Sequence, residues 1–265
     1  MRYVYPVISR RAGGVSVGIN LNPNNACNWH CAYCQVPDLK RGVAPEIDLE
    51  LLRRELSTLL DEILNGDFML QRVAEGSRQL CDIAISGNGE PTSCRAFDAV
   101  VEVILAVMSA FSLSVPLRLI SNGSYLHKAD VQRGLRLMAA CNGEVWVKVD
   151  AVSSEAILRI NGIKLDAARL RKQVEAVALL CPTWIQTCLM AWDEQPPAEA
   201  EMQGYIEFLT QLQRDGVPLC GVLLYGLARP SLQAEAKHLK PLDAGWMEMV
   251  AARIEASGLK VKLSL

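Results

Sequence analysis

Apolar positions along the chain alternate between two spacings, which predict strands followed by helices. Short continuous apolar runs rich in Val and Ile are typical of buried strands, whereas apolar residues three or four positions apart are typical of amphipathic helices. Strands are predicted over residues 15–21, 80–86, 116–121, 144–150, 183–190 and 218–224. Helices are predicted near residues 49–63, 96–111, 126–140, 153–160, 167–180, 202–212 and 242–256.

This order of elements indicates an α/β fold with a parallel sheet, because parallel strands need crossover connections. No composition shift or repeat divides the chain, so residues 1–265 are predicted to form a single domain. A closed barrel of this class has eight strand–helix units, and the six predicted here favour an open, partial six-stranded parallel β/α barrel. Residues 259–263 could add a short final strand. Parallel sheets carry their functional residues in the loops at the carboxyl ends of the strands.

The composition is that of a globular chain without a strong charge bias. Hydrophobic residues make up 51% of the sequence, and the formal net charge is −2. Such a chain has no overall attraction for a polyanion, so RNA binding would need a local basic patch. The dibasic pairs at 10–11, 40–41, 53–54 and 171–172 are scattered. A nucleic acid partner is therefore possible but not favoured.

The sequence also predicts a cytoplasmic protein without a membrane segment. Residues 1–11 contain no apolar core of the signal-peptide type. The longest apolar stretch, near 99–111, is interrupted by Glu102 and is too short to cross a bilayer. In the cytoplasm thiols stay reduced, so we expect free cysteines rather than disulfides.

Three closely spaced cysteines follow the first predicted strand. The segment reads Cys27-Asn28-Trp29-His30-Cys31-Ala32-Tyr33-Cys34. Three thiolates can bind three irons of a cubane cluster and leave the fourth iron open for a substrate or cosubstrate. The alternative is structural zinc, which wants four ligands, and only His30 is near enough to be the fourth. Because His30 is directly beside Cys31, its spacing is poor for one tetrahedron. The six remaining cysteines are interpreted as small buried apolar residues.

A glycine-rich segment follows the second predicted strand. It reads Ser86-Gly87-Asn88-Gly89-Glu90-Pro91-Thr92. The glycines permit a tight turn and a close approach of the backbone, and Glu90 offers an acceptor for an ammonium group. An ordinary glycine-rich turn is the alternative.

Polar residues also follow the third, fourth and sixth predicted strands. Ser121 and Asn122 can bond to a carboxylate or a ribose, or can belong to an Asn-Gly turn. Lys148 and Asp150 are expected to share one face of their strand, and charges seldom enter a barrel interior unless they are paired or functional. A surface salt bridge is the alternative for this pair. Arg229 begins a long loop, and its guanidinium suits a carboxylate or a phosphate.

These segments together resemble the radical S-adenosylmethionine (SAM) enzymes. With Tyr33 as the aromatic residue, the cysteine segment matches the C-x3-C-x-aromatic-C pattern of that superfamily. The glycine-rich segment resembles its Gly-Gly-Glu-Pro motif, which contacts the amino group of SAM. Residues 148–151 and 228–230 resemble the wyosine-synthase-like branch. Members of that branch carry additional amino-terminal cysteines, and residues 1–26 contain none.

The resemblance implies a cofactor, a partner and a set of site residues. Cys27, Cys31 and Cys34 would bind a [4Fe–4S] cluster whose open iron chelates SAM. A low-potential donor, flavodoxin or ferredoxin, would reduce the cluster, and a 5′-deoxyadenosyl radical would abstract hydrogen from the substrate. The residues expected to contact the cofactor are Tyr33, Gly87, Asn88, Gly89, Glu90, Pro91, Ser121 and Asn122. The residues expected to act in catalysis are Lys148, Asp150 and Arg229.

The sequence leaves the substrate open. A small-molecule or nucleoside-type substrate is favoured, and a tRNA-modifying enzyme is the alternative. A non-catalytic iron–sulfur or zinc module is the lower alternative. Such a module would need the three cysteines but not the Gly-Asn-Gly-Glu segment.

Overall fold

Eight strands form one sheet in which the order in space follows the order in the chain. A computed structural model describes residues 1–9 and 13–265; the dibasic pair at 10–11 lies outside these residues. The strands are β1 (Val4–Ser9), β2 (Gly14–Ile19), β3 (Leu80–Ile85), β4 (Leu117–Ser121), β5 (Gly143–Lys148), β6 (Thr183–Cys188), β7 (Leu219–Tyr225) and β8 (Val261–Ser264).

Strands β2 to β8 are parallel, and only β1 runs antiparallel to its neighbour β2. The two edge strands, β1 and β8, do not pair with each other within the described residues, so the sheet is open. The six predicted strands are confirmed as β2 to β7, and the short final strand is confirmed as β8. The fold is therefore the predicted partial β/α barrel with one further strand on each side.

Helices connect the strands and cover one face of the sheet. They are α1 (Leu49–Leu64), α2 (Phe68–Arg72), α3 (Phe97–Ala110), α4 (Ala129–Ala140), α5 (Ser154–Asn161), α6 (Ala167–Ala178), α7 (Glu199–Arg214) and α8 (Ala244–Glu255). In α1 the buried side chains of Leu52, Leu56, Leu59 and Ile63 recur at helical spacing and join the main core. Helix α1 begins where the Asp48 side chain accepts a hydrogen bond from the N–H of Leu51.

The two faces of the sheet differ in chemistry. In β4 and β5, side chains such as Leu119 and Val147 are fully buried against the helices. The side chains at the alternate positions of these strands are only half-buried and face the interior of the partial barrel. They include Arg118, Glu144 and Lys148.

A polar network crosses the interior near the amino ends of five strands. Arg118 forms ion pairs with Asp82 and, at 2.6 Å, with Glu144. Glu144 accepts a hydrogen bond from the indole of Trp184 at 3.1 Å, and Ser16 bonds to Asp82. These residues lie on β2 to β6 and occupy the interior at the end away from the cysteine loop.

The structure also contains elements that were not predicted. Strand β1 contains Pro6, which an edge strand tolerates because one side of it needs no ladder hydrogen bonds. The short helix α2 follows α1, and the long loop after β7 contains a 3₁₀ turn at Ala234–His238. That loop also contributes Leu239–Lys240, which pairs with Ala191–Trp192 in a small antiparallel ribbon.

None of the nine cysteines forms a disulfide bond in the structure. The prediction that the six outside the cysteine loop are buried holds for Cys94, Cys181 and Cys188, whereas Cys81 and Cys220 are half-buried. It is wrong for Cys141, which is exposed where α4 ends. Across residues 1–9 and 13–265, none of the helices combines the length and the hydropathy that crossing a membrane requires.

Candidate functional site

A cavity of about 650 Å³ opens at the carboxyl ends of β3 to β7. The predicted site residues that line it are Cys27, Cys31, Cys34, Tyr33, Gly87, Asn88, Gly89, Glu90, Asn122, Lys148 and Arg229. Three others, Pro91, Ser121 and Asp150, are buried in the wall behind it. Residues from five separate stretches of the chain thus meet at one place.

The cysteine loop is held from both sides. The indole N–H of Trp29, a buried residue, donates to the hydroxyl of Ser124 at 2.9 Å. On the other side, the Asn161 amide at the end of α5 lies 3.5 Å from the Cys31 sulfur. The backbone N–H of Trp29 donates to the Cys27 sulfur at 3.4 Å. These contacts turn the thiols toward the cavity.

The three thiols line one cavity. Burial raises the pKa of Cys27 to about 11 and that of Cys31 to about 12. Metal binding would therefore release protons from these thiols. Among residues 1–9 and 13–265, no three His, Cys, Asp or Glu side chains are grouped tightly enough to hold one metal ion. Three cysteine thiolates on one cavity are a donor set that suits an iron–sulfur cluster.

Gly89 allows the glycine-rich loop to approach the cysteine loop. A Cβ at this position would lie 2.0 Å from the carbonyl oxygen of Ala26, the residue before Cys27. It would also lie 2.7 Å from the side chain of Asn22. No other residue type fits this contact, so packing requires the glycine.

Glu90 joins the loops that follow β3 and β4. Its carboxylate is 2% exposed. Oε1 accepts hydrogen bonds from Thr92 and, at 2.8 Å, from the hydroxyl of Ser121, while Oε2 accepts one from the N–H of Asn122 at 2.7 Å. Burial raises the pKa of Glu90, and these hydrogen bonds oppose the rise. Since a carboxylate oxygen has two acceptor sites, Oε2 retains one for a further donor.

Tyr33 lies between Lys148 and Asp150. Its hydroxyl donates to Oδ2 of Asp150 at 2.5 Å and accepts from the Lys148 ammonium at 3.2 Å. Asp150 also accepts from the Asn161 amide at 2.7 Å and from the N–H of Cys188 at 2.9 Å. Lys148 and Asp150 form no direct ion pair in the part of the chain that the structure describes; their interaction passes through Tyr33.

The Lys148 ammonium stays charged in this setting. Burial acts to lower the pKa of Lys148, but Tyr225 and Asp150 more than offset it and raise the pKa above its ordinary value. The hydroxyl of Tyr225 lies 3.4 Å from the Lys148 nitrogen, and burial raises the pKa of Tyr225 as well. The cavity therefore contains a cation beside the hydroxyls of Tyr33 and Tyr225.

The loop that carries Arg229 lies across the cysteine loop. The Ser231 hydroxyl donates to the carbonyl of Ala32 at 2.6 Å, and the N–H of Leu232 donates to the carbonyl of Cys34 at 3.0 Å. The Arg229 side chain is exposed at the mouth of the cavity. The structure thus brings the loop that carries Arg229 into contact with the cysteine loop.

The lining residues that were not predicted as site residues include Tyr5, Trp29, Gln186, Cys188 and Tyr225. Strand alternation was the available signal for Gln186, because it lies two positions before Cys188 on β6. For Tyr5 no local signal existed. Its ring lies against Gly18 of β2, where a Cβ would be 2.3 Å from the ring.

Comparison with known proteins adds to this geometry. No family model matches the sequence. A curated protein, the GTPase Obg of Brachyspira hyodysenteriae, is 27% identical over 133 residues. The match covers 49% of this chain and only 17% of that protein, so the GTPase activity is not carried over to this chain.

Solved structures are similar over nearly the whole chain. A radical SAM methyltransferase from Sphaerobacter thermophilus has a TM-score of 0.63 at 12% identity, over 98% of this chain and 68% of that one. The chain has the fold of radical SAM enzymes. TYW1 with a lysine-pyruvate adduct bound has a TM-score of 0.59 at 16% identity, over 92% of this chain and 74% of that one. Streptococcus suis SuiB bound to S-adenosylmethionine has a TM-score of 0.55 at 11% identity, over 93% of this chain and 45% of the SuiB chain.

The radical SAM fold confirms the resemblance drawn from the sequence motifs. This chain spans 45% of the SuiB chain, and what it shares with these proteins at such identities is the fold. Within the fold, the cysteine loop follows β2 and the glycine-rich loop follows β3, both at the carboxyl end of the sheet. The cavity thus lies where parallel α/β folds place their functional sites.

Proposed function

We propose that this protein is a radical SAM enzyme that acts on a small-molecule or nucleoside-type substrate. One observation carries the proposal: the three thiols, the glycine-rich loop with Glu90, and the Lys148 ammonium all line a single cavity of about 650 Å³. This volume is within the range of small-molecule sites, about 300–1,000 Å³. A scaffold or sensor module would not need Glu90 and Lys148 to face the thiols.

Cys27, Cys31 and Cys34 would hold a [4Fe–4S] cluster. When bound, the cluster supplies the electron that breaks the S–C5′ bond of SAM, which gives the 5′-deoxyadenosyl radical that abstracts hydrogen from the substrate. The proposed electron donor is a flavodoxin or ferredoxin. A cytoplasmic location is also proposed, because nine cysteines without a disulfide bond suit a reducing compartment.

The glycine-rich loop would bind SAM. SuiB, which shares this fold, has been solved bound to SAM. In this chain the free acceptor site on Oε2 of Glu90 suits the SAM ammonium, because a charge-assisted hydrogen bond is stronger than a neutral one. The Asn122 amide donates to the side-chain oxygen of Asn28 at 2.9 Å and so links this wall to the cysteine loop. Tyr33 would contact the cofactor from the opposite wall.

Lys148 and Arg229 would interact with the substrate. Lys148 presents a permanent cation inside the cavity, and Arg229 presents a second one at its mouth. The planar guanidinium at the mouth suits a carboxylate or phosphate of an entering molecule. Asp150 does not line this cavity and acts as a positioning residue, because it holds the Tyr33 hydroxyl that contacts Lys148.

The test is SAM cleavage by the anaerobically reconstituted protein. With dithionite and SAM alone, we expect slow formation of 5′-deoxyadenosine and methionine in equal amounts. The Cys31→Ser variant should form neither product, while the Cys141→Ser variant, changed at an exposed thiol away from the cavity, should match the parent. A parent protein with a full cluster that forms no 5′-deoxyadenosine would refute the proposal. Methylthioadenosine as the product would indicate cleavage of a different S–C bond.

A further inference from the structure

Gln186 carries an unpaired carbonyl at the wall of the cavity. This β6 residue is 5% exposed, and its side chain lines the cavity. Within residues 1–9 and 13–265, its buried Oε1 has no hydrogen-bond partner. Buried polar atoms are nearly always paired, because an unpaired one forfeits the hydrogen bonds that it made with water. Such an atom at a cavity wall indicates a missing donor.

Lys148 is the neighbour of Gln186 on the adjacent strand. The two residues are register partners across β5 and β6, so their side chains leave the sheet side by side on the interior face. The Lys148 ammonium has three donors, and the hydroxyls of Tyr33 and Tyr225 lie within reach of two. One wall of the cavity thus offers a charged donor next to an unpaired acceptor.

The surroundings limit the direction from which a ligand can approach this wall. Trp184, two residues before Gln186 on the same face, is 7% exposed and bonds to Glu144 in the polar network below. A ligand can therefore reach this wall only from the cavity mouth, and it shares the cavity with SAM.

Aromatic rings are available for stacking on a planar molecule, since four of the chain's fifteen aromatic residues line the cavity: Tyr5, Trp29, Tyr33 and Tyr225.

We propose that Lys148 and Gln186 together bind an amide edge of the substrate, as found in a lactam base. This rests on the proposed function, because the subsite belongs to the same cavity. The substrate carbonyl accepts from the Lys148 ammonium. The side-chain amide of Gln186 turns its buried Oε1 toward the cavity, where it accepts from the adjacent substrate N–H. A carboxylate would satisfy Lys148 but leave Oε1 unpaired. An amine would satisfy Oε1 but be repelled by Lys148. Of these three groups, the edge with both a carbonyl and an N–H pairs both residues.

The experiment compares lactam nucleosides with their N-methyl analogues. The SAM-bound, cluster-loaded protein is titrated anaerobically with uridine and 3-methyluridine, and with inosine and 1-methylinosine. Methylation removes the N–H and leaves the carbonyls. We expect at least one unmethylated nucleoside to bind more tightly than its methylated analogue, by about 10-fold or more. The reason is that methylation removes the N–H that would pair with the carbonyl of Gln186. Gln186→Met should abolish this difference.

Gln173→Met is the matched control. Oε1 of Gln173, on α6, is also buried without a partner among the described residues, but this side chain lies outside the cavity. Both methionine variants replace an unpaired carbonyl, so both should raise the melting temperature of the ligand-free protein. Only the Gln186 variant should lose the preference for unmethylated nucleosides. This stability measurement does not depend on cluster chemistry.

Three outcomes would overturn the subsite. The first is equal binding of methylated and unmethylated nucleosides by the parent, and the second is no binding of any of the four nucleosides. The third is a preference for unmethylated nucleosides that persists in Gln186→Met, because such a preference would come from the size of the methyl group and not from Gln186. Formation of 5′-deoxyadenosine without substrate tests the proposed function separately. If the parent protein cleaves SAM but binds methylated and unmethylated nucleosides equally, only the subsite is refuted. If it prefers unmethylated nucleosides but does not cleave SAM, only the radical chemistry is refuted.

Discussion

The hydroxyl oxygen of Tyr33 lies 2.5 Å from Oδ2 of Asp150, although 117 residues separate the two in the chain. This contact joins the cysteine loop to the carboxyl end of β5. The same hydroxyl lies 3.2 Å from the Lys148 ammonium, so one phenol connects the loop, the positioning carboxylate and the cavity cation. The position of the thiols and the position of the cation therefore depend on each other.

Asp150→Ala should lower the free energy of unfolding by about 3 kcal/mol or more, because it leaves the buried donors of Tyr33, Asn161 and Cys188 without their acceptor. Urea denaturation of the metal-free protein measures this. Asp166→Ala is the control, since Asp166 caps α6 at the surface and should cost about 1 kcal/mol. A loss for Asp150→Ala no larger than that of the control would show that the Tyr33 contact is dispensable.

Gly89→Ala should separate the glycine-rich loop from the cysteine loop. The new methyl group would meet the carbonyl oxygen of Ala26 at 2.0 Å, and backbone on both sides would have to move. We expect a lower melting temperature and a reduced iron content after reconstitution. Gly204→Ala in α7 is the matched control: no atom lies within 4 Å of its added Cβ, and alanine should stabilise the helix by about 0.5–1 kcal/mol. Parent-like iron content in Gly89→Ala would contradict this role.

The strands and the cysteine site could be predicted from local sequence. Strand β2 is buried at every position and rich in Val and Ile, which identifies it as a strand. Strand β6 is also buried at every position, although it includes Thr183, Gln186 and Thr187. The three thiols lie within eight consecutive residues, and a loop of that length at a strand end must bring them near one another. The glycine-rich loop was predictable for the same reason.

Pairings over long sequence distances could not be predicted. Alternation placed Lys148 and Asp150 on one face, but nothing local shows that Tyr33 lies between them. Strand β1 contains a proline and lies at the edge of the sheet, so its sequence has only a weak strand pattern of apolar residues. The unpaired carbonyl of Gln186 depends on the neighbours that three strands bring around it. These are properties of the packed sheet rather than of any segment.

Glu90→Gln should weaken SAM binding about 10- to 150-fold, which corresponds to the loss of one charge-assisted hydrogen bond of about 1.5–3 kcal/mol. The dissociation constant of SAM, measured anaerobically on cluster-loaded protein, tests this. Because burial raises the pKa of Glu90, its carboxylate takes up a proton at a higher pH than an exposed glutamate does. The SAM affinity of the parent should therefore fall as the pH is lowered through that raised pKa.

Two comparisons check the Glu90 assignment. The Glu90→Gln variant should lose this part of the pH dependence, since it has no proton to gain. Glu102→Gln, changed at an exposed position of α3, should bind SAM like the parent at every pH. If Glu90→Gln kept the parent's affinity and pH profile, the carboxylate would serve only to join the loops after β3 and β4.

The content of iron, sulfide and zinc after anaerobic reconstitution tests the cluster site most directly. The parent is predicted to contain about four irons and four sulfides per chain, as in one [4Fe–4S] cluster. Cys27→Ala, Cys31→Ala and Cys34→Ala should each lose the cluster, and Cys141→Ala should retain it. A parent with one zinc ion and no sulfide, or a full cluster in all three loop variants, would contradict the assignment.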